Sequence, residues 1–375
     1  MLGAGCAGLS LLMRILHSEK LKGKKILLID REARIRNDRT WCFWETGQGF
    51  FENIVSRSWE HVSFLSDSFS STLDIAPYRY KMIGGIDFYR YCFEKISKHD
   101  NVEIVQGDFK GLKFERGFVI LDINDEKIIL HDEPATTIFS SIYKPEEQNK
   151  TSIRLLQHFK GWVIESNTPL FNTKEATLMD FRVHQQHGTS FAYVLPFSET
   201  RALIEYTLFT KTLLEKEEYD LELKNYIHSF LGIKDFKIIE EEFGVIPMTN
   251  EKLSFNGRAA WQIGTAGGQT KASSGYTFQF IQKQSDQIID LLEQGRSLNE
   301  LSQTPKRFRF YDNTLLHILY HEKLPGREIF IRLFQKNKPQ QVLRFLDNET
   351  SLSEELKIIS SLPTLPFLKA ALQQI

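Results

Sequence analysis

Glu205 lies in a run, Ala202 to Phe209, whose strict alternation puts Leu203, Glu205, Thr207 and Phe209 on one face and Ala202, Ile204, Tyr206 and Leu208 on the other. A carboxyl group among apolar neighbours loses hydration, which favours its neutral form and makes it a proton donor at neutral pH. The same pattern also admits a solvated glutamate on an edge strand. Asp180 and Arg182, two strands earlier, could orient such an acid or form a salt bridge within their own strand.

Two glycine-rich segments offer a different chemistry. Gly3, Gly5 and Gly8 have the GxGxxG spacing and run into an apolar stretch, Leu9 to Leu16, that predicts a buried helix with its N-terminus free for a phosphate. Lys25 to Asp30 reads as a buried parallel strand ending in an acid, at about the 20-residue distance at which an acid meets ribose hydroxyls. Gly264, Gly267 and Gly268 follow a short apolar run and precede a helix from Thr277, again presenting backbone N–H groups to an anion or a ring edge. Together these predict an adenine dinucleotide site. A strand of about five residues should precede the first glycine, but only Met1 and Leu2 do, so the first Rossmann strand reads as truncated. The expectation is that the recorded start lies downstream of the true one; a stop codon directly before Met1 in the nucleotide sequence would sink it.

The elements that position these residues follow from composition and pattern. The 375 residues are 41% apolar and 25% charged, enough for one large or two intergrown domains. A net charge of -1 gives no field to draw nucleic acid or anionic lipid, so any membrane contact must be mainly hydrophobic. Cys6, Cys42 and Cys92 form no CxxC pair and there is no histidine cluster at metal spacing, so no metal site and reduced thiols in a cytoplasmic protein are expected. No apolar run reaches the length that spans a bilayer. Leu112 to His131 reads as strand, turn at Asn124 to Glu126, strand. Ala176 to His184, Phe191 to Phe197 and Ala202 to Phe209 read as three further strands in a meander. After about residue 300 the spacing turns helical, with many of the 29 phenylalanines, and predicts a cap over one side of the substrate sheet.

The segments GAGCAGLSLL, DREARIRNDRTWCFWE, LMDFR, YVLPF, LIEYT, GVIPM and IGTAGGQTKASSGYTF occur in one order over most of the chain, and in that order the sequence resembles the lycopene β-cyclase family. The resemblance implies an α/β plus antiparallel β fold: a Rossmann-type FAD-binding domain (1–110 and 255–295), an inserted substrate-binding sheet (111–254) and a C-terminal helical cap (296–375). It implies FAD, held at Gly3, Gly5, Gly8, Asp30, Gly264, Gly267 and Gly268 and active when reduced, with NAD(P)H as reductant. It implies lycopene and related carotenoids as substrates, redox-neutral cyclisation of their open ends to β-rings, and peripheral contact with the inner face of the membrane. Glu205 matches the family's first acidic position and becomes the expected proton donor. Tyr206 stands where the family has a second acid, whose role is left unassigned. Trp41, Phe43 and Trp44 could line a polyene tunnel. A flavin monooxygenase or polyprenyl reductase on the same scaffold, and a non-enzymatic prenyl-lipid binder, remain as alternatives.

Overall fold

A computed structural model describes residues 1–115, 117–131, 136–143, 152–251 and 260–374. The expected boundary between residues 254 and 255 lies outside the described residues.

The dinucleotide-binding layer forms where glycine turn, apolar helix and apolar strand succeed one another. Helix Cys6–His17 is buried from Ala7 to Leu16, and contacts the helices Gly85–Ile96 and Phe278–Glu293. Strand Ile26–Asp30 pairs in parallel with Val102–Gln106, and Phe139–Ser140 pairs in parallel with Trp261–Gln262. Between these two pairs, Leu2 bridges both Ile29 and Ser140 in parallel. Main-chain bonds fix that position: the Leu2 N–H donates to Phe139 O at 2.8 Å, Ile29 N–H to Met1 O at 2.9 Å and Ser141 N–H to Leu2 O at 2.8 Å. Met1 and Leu2 thus occupy the place of the central strand.

The second layer is a seven-stranded sheet, in the order Phe236–Thr249, Arg154–Ser166, Arg201–Thr210, Thr189–Pro196, Glu175–Asp180, His61–Leu65 and Ser71–Asp74. Every neighbouring pair is antiparallel except Glu175–Asp180 with His61–Leu65. The three strands expected from alternation form its middle. Two corrections concern its edges. His61–Leu65 and Ser71–Asp74 join it from the segment expected to belong to the FAD-binding part. The hairpin of Phe118–Ile123 and Glu126–His131 does not: with Phe109–Glu115 it makes a separate three-stranded sheet, whose Val119, Leu121 and Ile123 pack on Leu2 and Ile29 of the parallel sheet. Asn124 and Asp125 turn that hairpin with φ of 52° and 67°, the left-handed pair that a two-residue loop requires.

The large sheet is covered on both sides. On one face Leu203 and Phe209 meet the C-terminal helices through Leu316, Phe330, Phe334 and Leu343. Phenylalanine supplies much of this contact, with Phe64 against Phe334 at 4.8 Å and Phe181 stacked on Phe330 at 5.9 Å. On the other face Ile204, Tyr206 and Leu208 meet Tyr219, Leu223, Tyr226 and Ile227 of helix Lys216–Ser229.

Candidate functional site

Glu205 sits near the middle of the large sheet. Its cross-strand partners are Tyr193 on one side and Gly161 on the other. Gly161 in turn pairs with Glu242 of Phe236–Thr249. Residues paired laterally across a sheet point to the same face, so Glu205 and Glu242 project together, with a residue that has no side chain between them. Thr207 Oγ1 donates to Glu205 Oε1 at 2.6 Å. Thr40 Oγ1 donates to Glu242 Oε2 at 2.8 Å, while the buried Oε1 of Glu242 takes no hydrogen bond.

The walls come from strand Thr40–Glu45, whose alternation aims Thr40, Cys42 and Trp44 at the acids. Trp44 meets Tyr276 edge-on at 4.6 Å, and both belong with Tyr80, Tyr193 and Leu203 to the packed cluster on this face. Among the described residues no lysine or arginine pairs with Glu205 or Glu242. Burial, and then the charge of Glu242, pushes the Glu205 carboxyl well above the usual carboxylate range. Burial also raises Glu242, against the hydrogen bond from Thr40. Burial and the nearby Glu205 charge push the Cys42 thiol up, and burial first of all raises the phenols of Tyr80 and Tyr193. The site therefore sets two carboxyl groups, both with pKa raised by burial, on an aromatic face, an arrangement suited to giving a proton to an uncharged substrate.

Four expected residues lie elsewhere. Trp41 and Phe43 point to the other face of their strand, Trp41 edge-on to Phe88 at 4.9 Å and Phe43 stacked on Phe278 at 4.3 Å, so they wall the core of the dinucleotide-binding layer, while of the three Trp44 alone joins the aromatic cluster on the face of the acids. Asp180 is fully buried and accepts from Tyr226 OH at 2.8 Å and from Arg182 Nη2 at 2.6 Å. Tyr226 belongs to the helix on the opposite face of the sheet, so Asp180 and Arg182 anchor that helix and do not orient Glu205. Conversely, Glu242, Thr40 and Gly161 were missed by sequence reasoning. Glu242 falls in the run Glu240-Glu241-Glu242, which reads as a solvated acidic stretch until the register with Gly161 is known.

The glycine segments come together. A Cβ on Gly8 would collide with the Gly3 carbonyl oxygen, so only glycine lets the turn close under the first helix. Gly264, at φ +62°, lies so close to Ala7 that a side chain there would strike its Cβ, which brings the late turn against the N-terminus of that helix. The helix has no side-chain cap, leaving its first N–H groups for an anion. Asp30 ends its strand beside the loop, accepting from the Ala4 N–H at 2.5 Å and from Arg34 at 3.0 Å. A cavity of about 560 Å³ opens beside the late turn, lined by Gly267, Gly268, Lys271 and Pro247 among others. Glu205 and Glu242 are not among its walls, but Pro247 shares a strand with Glu242. A tight glycine turn, an open helix N-terminus and an acid at the strand end fit an adenine dinucleotide.

This architecture is the fold of FAD-dependent, oxidoreductase-like flavoproteins. It is similar to p-nitrophenol 4-monooxygenase of Pseudomonas putida (TM-score 0.61, 12% identity, 99% of this chain and 97% of that one). It is also similar to a flavoprotein/dehydrogenase of Cytophaga hutchinsonii (0.60, 12%, 100% and 98%), and to a geranylgeranyl bacteriochlorophyll reductase-like protein of Thermoplasma acidophilum (0.58, 12%, 98% and 94%). At such identity the likeness speaks for the fold alone. Residues 1–372 match the model of the lycopene cyclase protein family, and the chain belongs to that family. It is 28% identical over 217 residues to a lycopene beta-cyclase of Pantoea ananas, a match covering 53% of this chain and 54% of that protein, so it spans about half the length of the curated relative.

Proposed function

We propose that the protein is a lycopene β-cyclase, an intramolecular lyase or isomerase that closes the open ends of lycopene to β-rings, giving γ-carotene and β-carotene without net oxidation or reduction. The observation that carries this reading is Glu205, a carboxyl group on the aromatic face of the sheet beside Tyr193, whose pKa burial raises and with which no lysine or arginine pairs among the described residues. Lycopene has no heteroatom, so shape and apolar contact must hold it, and a dehydrated acid that keeps its proton at neutral pH must start the reaction. Glu205 gives its proton to the terminal double bond. The tertiary cation that results is attacked by an internal double bond, and loss of a ring proton restores neutrality, so one proton enters and one leaves. Tyr80, Tyr193, Trp44 and Tyr276 exclude water that would quench the cation and present their negative ring faces to it. Gly3, Gly5, Gly8, Asp30, Gly264, Gly267 and Gly268 hold FAD, which when kept reduced by NAD(P)H supplies negative charge favouring a nearby cation.

The substrate dissolves in membranes, and the last two helices carry a surface suited to meeting one. Leu352, Leu356, Leu365, Leu368 and Leu372 are exposed, Leu365 to 71%, with Lys357 and Lys369 exposed beside them. Among the described residues no helix is long and apolar enough to cross a membrane. We place this face on the inner surface of the membrane as a peripheral contact. Replacing Leu365, Leu368 and Leu372 by serine should abolish co-sedimentation with lipid vesicles; unchanged binding would rule the face out.

Expression in a lycopene-accumulating bacterial host with pigment analysis tests the main reading. β-Ring carotenoids are expected. Unchanged lycopene beside folded, flavin-loaded protein would contradict it, and stoichiometric consumption of NAD(P)H with an oxygenated or reduced product would favour an oxidoreductase.

A further inference from the structure

The register that brings Glu205 to the substrate also brings a second carboxyl group to it. Strand Arg154–Ser166 runs between the strands of Glu205 and Glu242, and the residue opposite both is Gly161. Any side chain there would stand between them: a Cβ at Gly161 would lie 2.9 Å from Glu242 Cγ and from Leu203 Cδ1, and 3.2 Å from Glu242 Oε1. Glu242 is buried, at 7% exposure. Its Oε2 is held by Thr40, and its Oε1, the oxygen nearest that gap, has no hydrogen-bond donor. Thr207 occupies one oxygen of Glu205 and leaves the other free.

We propose that Glu242 is the positioning partner of Glu205: across the gap at Gly161 the two carboxyl groups hold one proton jointly, Glu205 carrying it and Glu242 accepting its hydrogen bond. This rests on the reading of Glu205 as proton donor. Two carboxyl groups facing each other across one glycine, with no lysine or arginine paired to either among the described residues, disfavour ionising together, so the pair keeps a proton to higher pH than a lone glutamate does. The ordering follows from their contacts. Each acid accepts from one hydroxyl, Glu205 from Thr207 and Glu242 from Thr40, so these donors do not separate them; the mutual contact does, because the Glu242 charge disfavours ionisation of Glu205 while a bond from Glu205 favours the charged form of Glu242. Cys42, Tyr80 and Tyr193 face the pair and stay neutral. The outlying acids acting on Glu242 are Asp38 and Glu240, the latter paired with Arg201 at 3.1 Å.

The test uses the full chain with FAD and three variants: Glu205→Gln, Glu242→Gln, and Gly161→Ala, which keeps both acids and wedges them apart. One readout is the pH profile of lycopene cyclisation. The other, independent of activity, is infrared titration of the carboxyl C=O stretch that marks a protonated acid. In Glu242→Gln and in Gly161→Ala both the alkaline limb and the disappearance of the acid band should move to lower pH. A shift of about one unit in Glu242→Gln means about tenfold lower kcat on the alkaline side, recovered at low pH with KM unchanged. If Glu205→Gln abolishes cyclisation while both curves stay put in the other two variants, the pair is wrong and the proton-donor reading survives. If no protein cyclises lycopene but the acid band still shifts, the pair stands and the cyclase reading falls.

Discussion

Glu205 and Tyr206 are consecutive in the chain and stand on opposite faces of one sheet, Glu205 beside Tyr193 among the aromatic residues and Tyr206 fully buried under the Lys216–Ser229 helix. An acid at position 206 would therefore not meet the one at 205. The second carboxyl of this site arrives from two strands away, as Glu242.

Tyr206→Asp should accordingly damage the fold without adding activity. It places an unpaired carboxyl among Ile204, Leu208 and Tyr219 and removes a large aromatic side chain. The expected loss is about 3 kcal/mol or more in urea unfolding. Unaltered stability would show that the back face is wetter than the packing implies.

A carboxyl pKa raised by burial costs stability, and the sign is definite. Glu205 keeps its proton in the fold to higher pH than in the unfolded chain, so between its unfolded value and its raised folded value the folded state binds more protons. Stability contributed at this site is therefore complete below the unfolded value and falls as pH rises through that window. Glu205→Gln removes the penalty: its melting temperature should exceed that of the natural protein at pH 8 and approach it at pH 4.5. A difference that shrinks as pH rises would mean that Glu205 is ionised in the fold.

Asp180→Ala should separate stability from chemistry. It strips Tyr226 and Arg182 of their shared acceptor beneath the docked helix, at a cost of about 2 to 4 kcal/mol. Cyclisation per folded molecule should stay within about twofold of the natural protein. A selective collapse of kcat in well-folded Asp180→Ala would return Asp180 to the active site.

Gly264→Val should weaken flavin binding. The added side chain must displace Ala7 from beneath the glycine loop, from a backbone conformation that valine disfavours. Flavin fluorescence titration should show affinity lower by at least about tenfold, equivalent to about 1.4 kcal/mol. Equal affinity would mean that the two turns do not jointly hold the cofactor.

Much of this was legible in the sequence. Alternation alone put Leu203, Glu205 and Thr207 on one face and Tyr206 on the other, because a strand has a period of two whatever it pairs with. The glycine turns were legible because few residues other than glycine satisfy close backbone approach. What escaped depends on pairing between distant segments. Phe236–Thr249 exposes Ile238, Ile239, Phe243 and Val245 beside Lys237, Glu240 and Glu241 and does not alternate cleanly, being an edge strand of the large sheet. Arg154–Ser166 is buried on both sides and shows no alternation to read. Without those two strands Gly161 and Glu242 cannot be placed. Trp41, Phe43 and Trp44 were grouped by proximity in sequence, and the same period of two divides them.

The most direct test of the central claim is to compare the natural protein and Glu205→Gln, both folded and flavin-loaded, on lycopene in the presence of a limiting amount of NAD(P)H. The natural protein should form β-rings with many turnovers per NAD(P)H consumed, and Glu205→Gln should form none. β-Ring formation by Glu205→Gln at the natural rate would contradict the assignment of Glu205 as the proton donor.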